Sequence, residues 1–228
     1  MRVIAGLLGA MMLVGCGIPR DPESTLRRVS GGTIRVGVID SPPWATFEDG
    51  EPSGIEIDLV RAFAEEIDAD VEWFDGSESE LLAALHVQEL DLVVGGMDAT
   101  SPYSKEAALT HTYVTTQTVV AFPAEEEIPE DIAGIEVGVE AGTEAAGLLE
   151  KTDAVPVRVD DVAAFSGPIV TENYHLDDLD VVDSGVQLKE VDHVMAAPLG
   201  ENAFLVRLER FLLDDPGRVT ARLEEAVP

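Results

Sequence analysis

Cysteine is almost absent: Cys16 is the only one among 228 residues, so no disulfide can form within the chain and its stability has to come from packing. Basic residues are scarce too. Fourteen lysines and arginines stand against 45 aspartates and glutamates, a formal net charge of −31. The acid is spread along the chain rather than gathered in a tail, so phosphate backbones and anionic lipid surfaces repel it, which argues against nucleic-acid partners. Solvent of high ionic strength, where charges are screened over a few ångströms, suits such a surface; melting that rises with added potassium or sodium chloride is the expected sign. The four histidines, His86, His111, His175 and His193, fall at no metal-ligating spacing, and the aspartate loop of an EF-hand is missing. Neither a metal nor another cofactor is expected. The longest apolar stretch is shorter than the about 20 residues that cross a bilayer.

That stretch lies at the start. Met1 and Arg2 precede an apolar run from Val3 to Val14, broken only by Gly6 and Gly9, and then Gly15-Cys16-Gly17. A positive start, a short apolar core and small residues at the cut form the plan of a secretory signal. Leu13-Val14-Gly15-Cys16 resembles the bacterial lipobox, which implies cleavage before Cys16 and a lipid anchor on it. Residues 1–16 are therefore expected to be a lipoprotein signal ending at the lipidated Cys16. Residues 17–32, with Pro19, Pro22, Ser24, Ser30 and paired glycines but few apolar side chains, read as a flexible tether. The protein is then expected outside the cytoplasmic membrane, in the periplasm or at the cell surface.

About 195 residues remain from Thr33 onward, enough for one substantial core or two smaller lobes. Thr33 to Ile39 alternates and is β-branched, a strand stopped by Asp40-Ser41-Pro42-Pro43. Apolar residues at helical spacing follow from Ile55 to Ile67, then a strand at Val71–Phe74, a helix over Ser79–Leu90 and a buried strand at Leu92–Val94 that runs into Gly95-Gly96. Strand, helix, strand, helix, strand with short connections predicts a parallel α/β sheet. A ligand on such a sheet sits at the carboxyl ends of the strands, which here means Asp40, Trp44, Glu78 and the loop from Gly96 to Thr100. A second unit starts after the strand Thr118–Phe122. It holds strands at Ile135–Val139, Val155–Val159 and Pro168–Thr171, with a helix ending at Leu149. A late strand, Val194–Pro198, precedes an amphipathic helix over Ala203–Leu213.

The stretches TIRVGVIDSPPWATF, EPSGIEIDLVRAFAEEI, LLAALHVQELDLVVGGMDAT, LTHTYV, DIAGIEVGVEAGTEA and HVMAAPLGENAFLVRLERFL follow one another in the order seen in a known family. The chain resembles the polar-amino-acid type of periplasmic solute-binding protein (family 3), the receptor of ABC importers. The resemblance implies a type II periplasmic-binding-protein fold: two α/β lobes joined by two hinge strands, closing over a solute in the cleft. Lobe one would comprise residues 33–113 and 190–228, and lobe two a shortened 114–189. It also implies a monomer that hands its solute to a membrane permease.

Departures from the family pattern bear on the ligand. An arginine normally follows the loop threonine by three residues and grips a ligand carboxylate with two parallel hydrogen bonds; Tyr103 stands there, after Thr100. Carried over one by one, the lobe-two strand end is Glu140, with Thr143 in the loop behind it. The position of a stacking aromatic is Glu78, a usual hydroxyl position is Asp98, and Glu172 matches a carboxylate that holds an ammonium. Asp40 ends the first strand, where an acid also occurs in relatives. Carboxylates gathered in a partly desolvated cleft raise each other's pKa, and a bound positive charge relieves that strain. The expected solute is an amine, another cation or an amino-acid-like molecule, with Trp44, Phe47, Tyr103 and Tyr113 available for cation–π contact. Two alternatives stay open: a periplasmic sensor or degenerate binding domain, and an enzyme like the cyclohexadienyl dehydratases, with Glu172 as general acid.

Overall fold

The computed structural model describes residues 21–225, apart from residues 49, 103 and 216. The first half comprises α1 (Thr25–Val29), β1 (Thr33–Val38), a hairpin of β2 (Thr46–Glu48) and β3 (Glu51–Ser53), α2 (Ile55–Glu66), β4 (Asp70–Asp75), α3 (Glu78–His86) and β5 (Leu92–Asp98). The second half comprises β6 (Ala108–Leu109), β7 (Val114–Pro123), β8 (Glu136–Glu140), α4 (Glu144–Leu149), β9 (Val155–Val159), β10 (Ile169–Glu172), β11 (Val181–Ala197), α5 (Asn202–Asp214) and α6 (Gly217–Glu225). One sheet runs in the order β4-β1-β5-β11-β7-β10-β8-β9.

Two parallel units make up that sheet. β1 pairs with β4 and β5, and β8 pairs with β9 and β10, all in parallel. The long strands β7 and β11 join them as an antiparallel ribbon, β11 also pairing with β5 and β7 with β10. β7 begins at the lobe boundary expected at 113/114, and β11 runs through the one expected at 189/190.

The pleat sorts the core of the first unit into two layers. Leu92 and Val94 of β5, with Met195 and Ala197 of β11, join Ile34, Phe63 and Phe204 on one face. Val93 and Met97, with Val194 and Ala196, join Leu81, Leu82 and Leu85 of α3 on the other. Successive strand side chains point to opposite faces, so a continuous apolar run fills both layers. Phe63 is fully buried and meets Phe204 edge-on at 6.0 Å and Phe211 at 5.4 Å. The second unit has its own core of Val120, Phe122, Val137, Val139, Leu149 and Val170.

Three segments depart from the expected pattern. The described part of the tether is docked: Val29 is fully buried, and both oxygens of buried Glu201 accept from backbone N–H groups at the start of α1, Glu23 and Thr25, each at 3.0 Å. Arg28 also reaches Asp91. Sparse apolar content makes this stretch look like a linker, but one buried valine and a buried carboxylate from α5 suffice to seat it. Helix α3 stops at His86, short of Leu90, because Gln88 takes a left-handed conformation (φ 62) that ends the helical path. β11 spans 17 residues where only its last part reads as a strand, since Asp183, Ser184, Gly185, Glu190 and Asp192 carry little β propensity. Pairing with β7 holds them extended.

Candidate functional site

Helix α2 fixes the Gly95-Gly96 pair within β5 from below. Glu56, fully buried, accepts from the N–H of Gly95 at 2.5 Å and of Gly96 at 3.1 Å, and the Tyr113 hydroxyl donates to the same carboxylate. Burial pushes the Glu56 carboxyl above its ordinary range, against the pull of those three donors. Glycine is required at both positions: each has positive φ, and a Cβ on Gly96 would stand 2.5 Å from the Trp44 ring. The Gly95 and Gly96 N–H groups are thus both engaged by Glu56.

The structure brings Asp40, Glu78, Gly96, Asp98 and Thr100 together around a cavity of about 440 Å³ at the carboxyl ends of β1 and β5. Its lining holds three carboxylates and no lysine, arginine or histidine among the described residues. Asp98 Oδ1 accepts from both the N–H and the hydroxyl of Thr100, at 2.7 and 2.8 Å, so the threonine's two donors are already engaged by an acid. Glu78 accepts from the Ser101 hydroxyl. Trp44 lies apart from this lining: only 5% exposed, it packs in the core with its ring 3.8 Å from that of His193. His193 is buried as well, and burial pushes its imidazole down to about 4, so it is neutral near pH 7. Tyr103 and Cys16 lie outside the described residues.

A second cavity, of about 510 Å³, lies at the carboxyl ends of β8 and β10 and is lined by Glu140, Thr143 and Glu172 of the expected set. Glu144, Asp161, His175 and Lys189 also line it. Glu172 accepts from the Thr118 hydroxyl at 2.7 Å, and Thr143 caps α4 by accepting from the N–H of Ala146. His175 is pushed down by burial, against Asp178 and Glu172, and so adds no firm positive charge. Lys189 does add one. Its Nζ stands 2.7 Å from Glu144 Oε2. Nothing in the sequence around Lys189 marks it, because it lies in the polar part of β11 where strand signals fail. The ten candidate residues therefore divide: five at one cavity, three at the other, Trp44 in the core, and Tyr103 outside the described residues.

Residues 34–214 match the model of a family described as bacterial extracellular solute-binding proteins, family 3. Among curated proteins, the chain is 31% identical over 118 residues to membrane-bound lytic murein transglycosylase F of Vibrio cholerae, a match covering 50% of this chain and 22% of that protein. It is 26% identical over 134 residues to the arginine-binding extracellular protein ArtP of Bacillus subtilis, covering 58% of this chain and 51% of that one. These matches span from about a fifth to about half of the length of those relatives. Among solved structures, the L-cystine solute receptor of Neisseria gonorrhoeae in its unliganded open conformation aligns with a TM-score of 0.68 at 17% identity, over 85% of this chain and 91% of that one. An ancestral cationic amino acid solute-binding protein aligns with a TM-score of 0.66 at 21% identity, over 89% and 97%. At such identities the likeness shows the two-lobed fold alone.

Proposed function

The chain belongs to the bacterial extracellular solute-binding proteins, family 3, and on that footing we propose that it captures a small, positively charged, amino-acid-like solute for an ABC importer. The two cavities are read as the two walls of one cleft, which closes over the solute by bending of the β7–β11 ribbon. The observation that carries this reading is the charge around them: seven carboxylates, Asp40, Glu78, Asp98, Glu140, Glu144, Asp161 and Glu172, against the one lysine, Lys189. Whatever the chain's overall acidity contributes, the local field of these carboxylates attracts cations, and a bound cation offsets their mutual repulsion. An anionic solute meets the opposite field.

We read the chain as a binder rather than an enzyme. A dehydratase acting on a cyclic acid with two carboxylates needs more positive charge than one lysine supplies. The murein transglycosylases match over a fifth of their length, which carries a resemblance to one part of them and not their activity. The expected setting is a monomer outside the cytoplasmic membrane, in the periplasm or at the cell surface, anchored through lipid on Cys16.

A calorimetric and melting-point screen of the purified chain against amines and against cationic, neutral and acidic amino acids tests the proposal. Cationic compounds are expected to bind and raise the melting temperature. Stabilisation by neutral or acidic amino acids alone overturns the assigned charge. Mass spectrometry of protein isolated natively checks Cys16 for lipid and the cleft for a carried solute.

A further inference from the structure

Lys189 reaches its cavity by a shift of register in β11. Val186 lies opposite Val120 and Gln187 opposite Val119, but Lys189, not Leu188, lies opposite Thr118. Residues opposite each other in a sheet share a face, and so do residues two apart on one strand. Thr118 and Val120 therefore share a face. The extra residue in β11 puts Lys189 on that same face as Val186, although three positions separate them. Without the bulge, Lys189 would fall on the opposite face, since a slip of one residue inverts the side-chain pattern.

The same row continues into the next strand, where Glu172 lies opposite Thr118. Glu172, Thr118 and Lys189 thus stand side by side across β10, β7 and β11, with the acid and the lysine two strand spacings apart, roughly 10 Å between backbones. One small solute can reach both. Among the described residues lining this cavity, Lys189 is the one lysine or arginine, and it is held by Glu144 at 2.7 Å. The Glu144 side chain is 68% exposed, against 33% for Lys189. An ion pair with one partner so open to water contributes little, and its carboxylate is readily exchanged for another.

We infer that Lys189 is the anion-recognising group of this pocket and that Glu144 is its resident counter-ion, which the carboxylate of a bound solute replaces. The inference rests on this cavity being the solute site. It assigns to lobe two the contact that the family's arginine makes beside the loop threonine, where this chain has Tyr103. The solute then presents its carboxylate to Lys189 and its positive charge to Glu172 and the neighbouring acids. Discrimination between an amino acid and the amine lacking its carboxylate follows from this one side chain.

The test is calorimetry on the full chain with L-arginine, agmatine (the amine lacking the carboxylate) and L-glutamine, using the wild type and the Lys189→Gln, Lys189→Arg and Glu144→Gln variants, each checked for folding by circular dichroism. Lys189→Gln is expected to weaken arginine by tenfold or more while agmatine stays within threefold; Lys189→Arg restores arginine, and Glu144→Gln tightens it. Equal losses for arginine and agmatine in Lys189→Gln overturn the inference. If the wild type binds glutamine but neither cation, and Lys189→Gln abolishes that binding, Lys189 keeps its role and the cationic reading fails. If none of the three binds to folded wild type, both fall.

Discussion

Replacing Glu56 with glutamine probes the joint between fold and site. Glu56 Oε2 accepts from the Gly95 N–H, while Oε1 accepts from the Gly96 N–H and the Tyr113 hydroxyl. An amide of the same shape keeps one oxygen for one side of this arrangement. Its NH2 then faces a donor on the other, which leaves a buried N–H or hydroxyl unpaired. Such a loss costs about 1–3 kcal/mol, and a midpoint of about 2 kcal/mol corresponds to roughly 4–8 °C in melting temperature for a chain of this size. Urea unfolding with an unchanged slope measures it, and amide hydrogen exchange should accelerate at Gly95 and Gly96 before the rest of β5. Tyr113→Phe removes one donor and is expected to cost about 1 kcal/mol, with the double variant less destabilised than the sum because both changes act on one carboxylate. The pH dependence adds a check of sign. Burial raises the folded pKa of Glu56 above 4.5, so its contribution is fully present below that value and declines as pH rises through the raised one; Glu56→Gln removes that slope. A Glu56→Gln variant within about 0.5 kcal/mol of wild type at all pH values would refute the reasoning, since no buried donor would then have lost its partner.

Two further predictions rest on other buried titratable groups. His193, pushed down to about 4 chiefly by burial, contributes stability that is present above its ordinary 6.5 and lost as pH falls through about 4. Its ring nitrogens should read as neutral imidazole by NMR at pH 5.5, and a protonated ring at that pH would contradict the packing against Trp44. Asp91, 1% exposed, is pushed up by burial, but hydrogen bonds from Arg35 and Arg28 outweigh that and hold it below its ordinary 3.8. Its contribution is therefore present above 3.8 and lost as pH falls through the lowered value. Asp91→Asn is expected to cost about 2 kcal/mol, less than a fully buried pair because both arginines are partly exposed and rehydrate. Limited proteolysis should then cut at α1 first; an Asp91→Asn chain as resistant as wild type would show that this carboxylate does not seat the helix.

Apolar and β-branched runs, with the turn residues that bound them, placed β1, α2, β4, β9 and α5 within a residue or two of their ends. In β1, α2 and α5 the buried side chains recur at the element's own period, and burial of those side chains is what forms it. β11 shows the converse. Its hinge portion buries little and is extended because β7 lies beside it, a partner far away in sequence. The tether misled in the same way, since Val29 and Thr25 become core residues only once Glu201 and Asp91, some 60 to 180 positions away, are brought to them.

The candidate site divides along the same line. Asp40 and Asp98 are legible because parallel α/β topology fixes where strand carboxyl ends gather, whereas Glu140 and Glu172 enter the expected set only through the family resemblance. Glu56 reads in sequence only as one more acid on a helix, yet it takes the N–H groups of both Gly95 and Gly96. Lys189 depends on a register that no local pattern carries. By itself the sequence determined the acidity, the absence of a disulfide and the two α/β units, because composition and periodicity are properties of the chain alone. The tertiary structure decided which acids share a cavity, that Trp44 belongs to the core, and that Lys189 lines the cavity at the ends of β8 and β10. Those depend on pairing between distant strands, and a shift of one residue there turns a side chain from one face of the sheet to the other.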